Sequence, residues 1–270
     1  MLAQQRYDRI LELLNKNGIV HNAELVKEMK VSSETVRKDM DALEKQGKLK
    51  RVHGGALPVS GKQMQVQKED YISLEDRNTS HMKEKAAIAA YAAEFVRENQ
   101  AVGLDYGSTS LVMAKELARR FTSLTVVTNS IQNAVILSEC PGFTVILVGG
   151  ILDKKELSLG NDFSQTLESL HLDILFMSVS GVHPQVGLTD QGLSEARVQK
   201  QMCQIADRTV VLADSGKFGK ASLVKLCVLN EVDDIITDSA VDEQIKEAVK
   251  QTGVSLHEVG GQAVLGRQVS

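Results

Sequence analysis

The sequence predicts an α/β protein in two parts, a small and mainly helical N-terminal unit followed by a larger unit built on a parallel sheet. Two observations predict this division. Apolar residues recur at helical spacing through the first 45 residues, before a short basic strand. Beyond residue 80, short apolar runs alternate with amphipathic segments, which is typical of parallel strands joined by helices.

Three amphipathic segments in the N-terminal unit predict three helices. Their apolar positions are Tyr7, Ile10, Leu11 and Leu14 in the first segment, Ala23, Leu25, Val26 and Met29 in the second, and Val36, Met40 and Leu43 in the third. Asn22 can cap the second helix, and either Ser32 or Ser33 can cap the third. Because only a tight turn over residues 30–32 separates these two helices, the spacing is that of a helix-turn-helix, whose second helix reads DNA bases.

A basic strand is predicted after the third helix. Gly47 ends that helix, and residues 48–53 alternate in the manner of a strand before Gly54 and Gly55. A basic strand in this position would form a wing whose lysines contact DNA phosphates. The residues expected to face DNA are Ser32, Ser33, Glu34, Thr35, Arg37, Lys38, Asp41, Lys48, Lys50, Arg51 and His53.

The distribution of charge agrees with this interpretation. Residues 1–55 contain 11 lysines and arginines against 8 aspartates and glutamates, a net charge of +3. The remaining 215 residues contain 20 against 27, a net charge of −7. The basic charge is therefore at the front of the chain, although the whole chain is acidic, and the distribution is more informative than the total.

Composition excludes several other classes of protein. A hydrophobic content of 43% is sufficient for a sizeable core. No apolar stretch approaches the roughly 20 residues of a membrane span, and the N-terminus lacks the pattern of a secretion signal. We therefore expect a cytoplasmic protein that does not bind membranes. Since Cys140, Cys203 and Cys227 lie far apart, they are expected to be reduced core thiols, with no metal and no cofactor.

Three segments of the N-terminal unit resemble the DNA-binding domain of the DeoR family of bacterial transcriptional regulators. They are Arg6 with Ile10, Val-Ser-Ser-Glu-Thr-Val-Arg-Lys-Asp-Met at residues 31–40, and Arg-Val-His-Gly-Gly-Ala at residues 51–56. The family helix usually has two arginines before the aspartate, whereas this chain has Arg37 and Lys38. A lysine can still bind phosphate or a single guanine acceptor, but it lacks the rigid fork of arginine.

Helical and strand periodicity fades after residue 57. Pro58, Gly61 and the polar run at residues 61–63 are typical of a linker. We therefore place a winged helix-turn-helix DNA-binding domain at residues 1–57, a linker at residues 58–80, and an α/β domain at residues 81–270. Helical spacing resumes over residues 85–96.

Apolar runs predict the strands of the C-terminal domain. Six of them cover residues 101–104, 124–127, 143–148, 174–179, 209–213 and 234–236, and a seventh candidate covers residues 254–259. Continuous apolar runs with helices between them indicate a parallel sheet that is covered on both faces. Ligands bind such sheets at the carboxyl ends of the strands, so the loops that follow the runs are the candidate site.

Polar and glycine-rich loops follow five of these runs. Residues 105–110, Asp-Tyr-Gly-Ser-Thr-Ser, precede a helix, and their N–H groups and hydroxyls suit a phosphate. The other loops contain Asn129 with Ser130, Gly149 with Gly150, Ser180 with Gly181, and Asp214 with Lys217. Each loop alone is weak support, because Asp105 and Asp214 can equally be helix caps and Lys217 an exposed charge. Together, five loops at one sheet edge predict a pocket.

The same loops resemble the C-terminal sensor domain of the DeoR family, whose fold is similar to ribose-5-phosphate isomerase and the CoA transferases. The matching motifs are Asp-Tyr-Gly-Ser-Thr, Val-Thr-Asn-Ser, Val-Gly-Gly, Ser-Gly-Val with Gly-Leu-Thr, and Ala-Asp-Ser-Gly-Lys-Phe-Gly. The resemblance implies a repressor of a carbohydrate catabolic operon that binds double-stranded operator DNA and is released by a phosphorylated sugar.

The resemblance also implies roles for individual residues. Gly107, Ser108 and Thr109 would hold the phosphate, and Lys217 would neutralise it. Asp105, Asn129 and Glu195 would face the hydroxyls of the sugar. The full set of expected effector-binding residues is Asp105, Gly107, Ser108, Thr109, Ser110, Asn129, Ser130, Gly149, Gly150, Ser180, Gly181, Glu195, Asp214 and Lys217.

Two other classes remain open at this point. A sugar-phosphate isomerase-like enzyme with an accessory DNA-binding domain needs a base, but the Asp-Gly-Ala-Asp-Glu of such enzymes is replaced here by residues 180–184, Ser-Gly-Val-His-Pro. Glu195 is then the remaining candidate base, and His183 is expected to be a surface histidine, so no catalytic residue is assigned. A structural nucleoid protein would not need the pocket loops. Because one helix-turn-helix covers few base pairs, a homodimer or homotetramer is expected.

Overall fold

The computed structural model describes residues 5–7, 9–11, 13, 20–29, 31–46, 48–52, 55–58, 72–160 and 165–260. The chain divides into two compact units, residues 1–65 and residues 66–270. The N-terminal unit has its own cluster of buried apolar side chains, and the C-terminal unit has two such clusters.

The N-terminal unit is a helix-turn-helix with a small antiparallel sheet. Its elements are β1 (Val20–His21), α1 (Asn22–Met29), α2 (Ser33–Lys45), β2 (Leu49–Val52) and β3 (Gly55–Pro58), and residues 5–7, 9–11 and 13 are also helical. The strand order is β1-β3-β2, with both pairings antiparallel. The β2–β3 pair is the wing.

The third helix of the sequence prediction is confirmed as α2. The side chain of Ser32 accepts a hydrogen bond from the backbone N–H of Thr35 at 3.2 Å and caps the helix. Val36, Met40 and Leu43 form the buried stripe. A second contact fixes α2 in place, since Arg6 in the first helical segment donates to both carboxylate oxygens of Asp39, at 2.6 and 2.9 Å.

Strand β3 was not anticipated from the sequence. It pairs with β1 and β2, and it includes Pro58, which the sequence analysis placed in the linker. Pro58 is tolerated because it is the last residue of the strand, beyond the two residues that pair with β1. Asn22 is the first residue of α1 rather than the residue before it. The predictions for Gly47 and His53 fall outside the described residues.

The C-terminal unit contains a large sheet, a smaller antiparallel sheet and a hairpin. Its helices are α3 (Leu74–Thr79), α4 (Met82–Ala92), α5 (Ser108–Arg120), α6 (Ile131–Ser138), α7 (Gln165–Glu168), α8 (Leu193–Gln204) and α9 (Glu243–Lys250). Its strands are β4 (Ala101–Leu104), β5 (Leu124–Thr128), β6 (Phe143–Leu147), β7 (Ile151–Asp153), β8 (Ser158–Gly160), β9 (Ile174–Ser178), β10 (Gly181–His183), β11 (Gly187–Asp190), β12 (Thr209–Leu212), β13 (Val224–Cys227), β14 (Asp234–Asp238) and β15 (Ser255–Val259).

The large sheet is the predicted parallel sheet. Its order is β15-β14-β12-β9-β4-β5-β6 and every pairing is parallel, so all seven apolar runs are confirmed as strands. Side chains of the central strand β9 alternate between two cores. Leu175 and Met177 belong to one cluster, while Ile174 and Phe176 belong to the other. The sheet is therefore covered on both faces, as the continuous apolar runs indicated.

Two smaller sheets surround the carboxyl ends of the large sheet's strands. β10, β11 and β13 form an antiparallel sheet, and β7 and β8 form a hairpin. The turn of this hairpin, residues 154–157, is ordered by Asp153, whose carboxylate accepts from the N–H groups of Lys155 at 2.7 Å and Glu156 at 3.1 Å.

Helix α3 lies in the segment that the sequence analysis assigned to the linker. Ser73 caps it by accepting from the N–H of Asp76 at 3.1 Å, and Leu74 is buried. The ammonium of the buried Lys85 donates to the carbonyls of Arg77 at 2.5 Å and Ser80 at 2.8 Å, which holds the other end of the helix. A helix of six residues is too short to show periodicity, which is why the sequence pattern missed it.

Two general expectations can be compared with the described residues. Cys140, Cys203 and Cys227 are free and half-buried rather than fully inside the core. Within the described part of the chain, no helix has both the length and the apolar content that crossing a membrane requires.

Candidate functional site

The face of α2 opposite the core is polar. Ser32, Ser33, Glu34, Arg37 and Lys38 are exposed, and Thr35 and Asp41 are half-buried. Glu34 and Lys38 form a weak ion pair at 3.8 Å. The arrangement leaves the N-terminal part of the helix open to a DNA groove, which is where a recognition helix meets base edges.

The expected wing residues lie at and around β2. Lys48 is exposed just before the strand, and Lys50 and Arg51 are in it. The side chains of Lys50 and Arg51 and the whole of His53 fall outside what the structure describes. The backbone therefore places two basic residues on the predicted wing.

A second candidate site is a pair of adjoining cavities beside the carboxyl ends of β4 and β9. Their volumes are about 250 and 30 Å³, and five residues line both of them: Arg77, Tyr106, Ser180, Asp190 and Lys217. The smaller cavity is also lined by Gly107, Ser108, Thr109, Ser178 and Val179. The larger cavity is also lined by Ile72, Asp153, Lys155, Glu156, Gln191 and Gly192.

The smaller cavity adjoins the N-terminus of α5. Gly107 precedes this helix of 13 residues with a φ of 112°, a left-handed conformation that favours glycine. Gly107 has no side chain with which to cap the helix, and the first turn contains no acidic residue; the N–H of Ser110 donates to the hydroxyl of Ser178 at 3.1 Å. The N–H groups and partial positive charge of this helix end therefore face a cavity that is also lined by the side chains of Ser108 and Thr109.

Two cationic side chains add to this positive end. Lys217 is half-buried, and no carboxylate of the described residues lies within ion-pair distance of it. Arg77 forms an ion pair with Glu156 across the larger cavity. Because Asp153, Glu156 and Asp190 line the same space, the site has a positive end and an end rich in hydrogen-bond acceptors.

Asp190 organises the wall between the two cavities. Its carboxylate accepts hydrogen bonds from the hydroxyls of Tyr106 at 3.0 Å and Ser180 at 2.7 Å, and from the N–H of Gln191 at 2.7 Å. Burial, and then the charge of Asp190, raise the pKa of Tyr106 well above 10.0. Tyr106 therefore remains a neutral hydrogen-bond donor at physiological pH.

Asp105 lies behind the cavities rather than in their walls. It is 0% exposed, and one carboxylate oxygen accepts from the N–H of Ser178 at 2.8 Å and from the amide of Gln199 at 2.9 Å. Burial raises its pKa well above 3.8, although these hydrogen bonds oppose the shift. The backbone carbonyl of Asp105 accepts from Ser110 at 2.5 Å and Asn133 at 2.7 Å.

Three other expected residues are buried in supporting contacts. The amide of Asn129 donates to the carbonyl of Leu159 at 3.2 Å. Ser130 caps α6. The carboxylate of Glu195 accepts from the hydroxyls of Ser158 at 3.1 Å and Ser194 at 2.9 Å. These residues join the β7–β8 hairpin to its neighbours, and none is among the described residues that line the cavities.

The remaining expected residues are divided between turn, strand and surface. Asp214, 2% exposed, caps the turn Ser215–Lys217 by accepting from the N–H of Gly216 at 3.0 Å, which supports the capping interpretation. Gly181 is buried in β10. Gly149 and Gly150 are exposed beyond the edge strand β6, away from the described lining residues.

The prediction that His183 is a surface histidine is wrong. It is 3% exposed in β10, and its Nδ1 accepts from the N–H groups of Gln185 at 3.2 Å and Val186 at 3.3 Å. Burial lowers its pKa. The sequence predicts a loop at residues 180–184, but residues 181–183 form a strand of the small sheet.

Several lining residues were not anticipated. They are Ile72, Arg77, Tyr106, Asp153, Lys155, Glu156, Ser178, Val179, Asp190, Gln191 and Gly192. The helix that carries Arg77 could have been predicted, because Ser-Leu-Glu-Asp at residues 73–76 has the spacing of an N-terminal capping sequence. No cluster of three potential metal ligands occurs in the part of the chain that the structure describes.

The helix-turn-helix unit and the α/β unit together define a class of protein, a DNA-binding regulator with a second, α/β domain. The family model described as the DeoR-like helix-turn-helix domain matches residues 6–61, and the model described as the DeoR C terminal sensor domain matches residues 80–239. The chain belongs to the DeoR family of transcriptional regulators, as the sequence analysis predicted.

Relatives over the whole length support this assignment. The uncharacterized HTH-type transcriptional regulator YulB of Bacillus subtilis (strain 168) is 35% identical over 266 residues, covering 96% of this chain and 100% of the relative. The lactose phosphotransferase system repressor of Streptococcus mutans serotype c is 32% identical over 257 residues, covering 94% and 99%. These names describe regulators, so the chain is a transcriptional regulator and not an isomerase-like enzyme.

Solved structures resemble this chain more distantly. Ribose 5-phosphate isomerase A from Methanocaldococcus jannaschii aligns with a TM-score of 0.40 and 18% identity, covering 52% of this chain and 55% of that chain.

Replacing Asp105 by asparagine tests the protonation of this buried carboxyl. Because its pKa is raised above 3.8, the folded chain retains a proton that the unfolded chain releases, so this group's contribution to stability falls as pH rises through the raised pKa. Asparagine has no such proton. In denaturant unfolding, we expect Asp105→Asn to reduce this pH dependence and to be at least as stable as the wild type at mildly alkaline pH.

The matched control is Asp234→Asn. Burial raises the pKa of Asp234, but hydrogen bonds from Arg208 and His257 outweigh burial and lower it overall. This substitution should therefore reduce stability at the same mildly alkaline pH. If Asp105→Asn lost as much stability there as Asp234→Asn, Asp105 would be ionised in the folded protein and the assignment would be wrong.

Proposed function

We propose that the chain represses a carbohydrate catabolic operon and is released from its operator when a phosphorylated sugar binds the paired cavities. The DNA is read by α2, with β2 and β3 contacting phosphates. The observation that supports the effector most directly is the smaller cavity, which is lined by the first residues of α5 and by Lys217.

The smaller cavity has the chemistry of a phosphate site. Backbone N–H groups at a helix N-terminus, the hydroxyls of Ser108 and Thr109, and the ammonium of Lys217, which pairs with no described carboxylate, are complementary to a dianion. Its volume of about 30 Å³ suits one small group rather than a whole metabolite.

The larger cavity has the chemistry of a polyol site. The carboxylates of Asp153, Glu156 and Asp190 line it, and they accept hydrogen bonds from sugar hydroxyls. Its volume of about 250 Å³ is below the roughly 300–1,000 Å³ of sites for drug-sized ligands, which favours a small metabolite. The name of the Streptococcus mutans relative, a lactose phosphotransferase system repressor, supports the carbohydrate class and the repressor role.

Substitutions on α2 and β2 separate base reading from phosphate contact. We expect Arg37→Ala to weaken binding to a duplex selected from a random pool by about 1–3 kcal/mol, because a bidentate contact to a base is lost. Its effect on random DNA should be much smaller. Lys50→Ala should weaken both complexes equally and flatten their salt dependence.

Binding titrations at several salt concentrations measure both effects, with Arg119→Ala as the control. Arg119 is an exposed arginine of α5 in the sensor unit and should leave DNA binding unchanged. Equal losses on selected and random DNA for Arg37→Ala would contradict base reading by Arg37.

Lys217→Ala tests whether the cavity controls DNA binding. A ligand that prefers one state of the regulator changes operator affinity by about 5- to 150-fold in typical cases. We expect Lys217→Ala to keep DNA affinity but to require far higher concentrations of an active sugar phosphate for release, since the phosphate loses a cation. The exposed Lys115 on α5 provides the control Lys115→Ala, which should respond as the wild type does.

A panel of pentose and hexose phosphates, titrated into the protein–DNA complex, provides the measurement. The proposal fails if no sugar phosphate in the panel releases the wild-type protein. The site assignment fails if Lys217→Ala and Thr109→Val both respond at wild-type concentrations.

We also propose that the chain acts as a homodimer or homotetramer. A single helix-turn-helix contacts too few base pairs to be selective, and a two-fold pair doubles the sequence that is read. Light scattering should give a mass that is a multiple of 29.5 kDa at working concentration. A mass of one chain, both with and without DNA, would contradict this proposal.

A further inference from the structure

We propose that Arg77 is a phosphate-binding residue that gives up Glu156 for the ligand's phosphate. The inference rests on the proposed function, because it requires a phosphorylated ligand in these cavities. It adds Arg77 to the proposed effector site, and Arg77 lies outside the residues that the two family models match.

Arg77 is placed to contact either half of the ligand. It is the residue of α3 that lines both cavities, together with Gly107, Ser108 and Thr109 on the smaller side and Glu156 on the larger. The side chains of Arg77 and Glu156 are 19% and 11% exposed, so their ion pair is largely withdrawn from water but still borders the cavity.

The guanidinium of Arg77 uses only some of its N–H donors in hydrogen bonds to described residues. Nη2 pairs with Glu156 and Nε donates to the backbone carbonyl of Ile72 at 3.1 Å, and these are the hydrogen bonds that it makes to described residues. A guanidinium has five N–H donors in a planar fork that fits a carboxylate or a phosphate equally well. A phosphate dianion bears more charge than a carboxylate, so it competes effectively for the same fork.

The backbone at Glu156 is held in place independently of the guanidinium. It lies in the hairpin turn that the carboxylate of Asp153 orders through the N–H groups of Lys155 and Glu156. When Arg77 turns to a phosphate, Glu156 stays in the larger cavity and can accept a hydrogen bond from a sugar hydroxyl. The exchange therefore leaves neither charge without a partner when the ligand has both a phosphate and hydroxyls.

The backbone of Arg77 is anchored while its side chain can change partners. The ammonium of Lys85 holds the carbonyls of Arg77 and Ser80, which fixes the end of α3 against α4. Besides the pair with Glu156, the contact that a turn of the guanidinium would change is the one from Nε to the carbonyl of Ile72. In the sequence, Ile72 lies near the boundary between the two units at residues 65 and 66.

Glu156 could also affect phosphate binding simply by repelling the anion. A double-mutant cycle at Arg77 and Glu156 distinguishes this repulsion from the proposed exchange of partners. If Glu156 only repels an anion by its charge, removing that charge improves phosphate binding whether or not Arg77 is present. If Glu156 occupies Arg77, its removal improves phosphate binding only when Arg77 is there to be freed.

The cycle uses the full-length chain and inorganic phosphate as the probe, with affinity taken from the dependence of the melting temperature on phosphate concentration. We expect Glu156→Gln to bind phosphate about three- to tenfold more tightly than the wild type, a range consistent with the modest net strength of a partly buried ion pair. Arg77→Gln should bind phosphate more weakly than the wild type, and the double variant should bind no better than Arg77→Gln.

The matched control is Glu116→Gln. Glu116 on α5 forms ion pairs with Arg119 and Arg120, and its side chain is 15% exposed, close to that of Glu156. The substitution therefore removes a paired glutamate outside the cavities. It should leave phosphate affinity unchanged. If Arg77→Gln does not fold, Arg77→Lys replaces it in the cycle, since a lysine keeps the charge but lacks the planar fork.

Each result distinguishes this inference from the function on which it rests. If Glu156→Gln improves phosphate affinity equally with and without Arg77, or has no effect, the exchange is overturned while the phosphate site stands. If phosphate does not stabilise the wild-type chain at any concentration, this inference fails, whereas the proposed function fails only if no sugar phosphate releases the wild-type protein from DNA.

Discussion

The buried Asp105 is the point on which the ligand-binding end of the sheet depends. It directly follows β4, and its side chain accepts from the N–H of Ser178 at the end of β9 and from Gln199 on α8. Its backbone carbonyl accepts from Ser110 on α5 and Asn133 on α6. One residue thus joins two strands and three helices. These hydrogen bonds fix the first turn of α5 relative to β9, α6 and α8.

The fixed positions of the helix N-termini explain why some polar residues of the loops make hydrogen bonds within the domain and others face the cavity. A helix N-terminus needs acceptors for its N–H groups, and these come from a cap, an acidic first turn or a ligand. α6 has Ser130 as its cap, and α8 has Glu195 in its first turn. α5 has neither. The loops look alike in the sequence, but only the hydrogen bonds of the fold show which helix end is left for an anion.

The parallel sheet was predictable because each strand is an apolar run, and burial on both faces leaves that pattern in consecutive residues. The phosphate half of the candidate site was predictable for the same reason, since Gly107, Ser108 and Thr109 are adjacent. The other half was not. Arg77 meets Glu156 across 79 positions, and Tyr106 meets Asp190 across 84. Such pairs arise from how the hairpin, the small sheet and α3 pack, so no local spacing reports them.

The same rigidity limits which residues can transmit binding. A ligand shifts an equilibrium only through contacts that differ between the two states. The first turn of α5 is fixed by the Asp105 network, so it can supply affinity in both states but little difference between them. A difference must come from a group that changes partners when the ligand binds. The proposed exchange gives Arg77 this property, because Arg77 lines both cavities and its partner Glu156 lines the larger one.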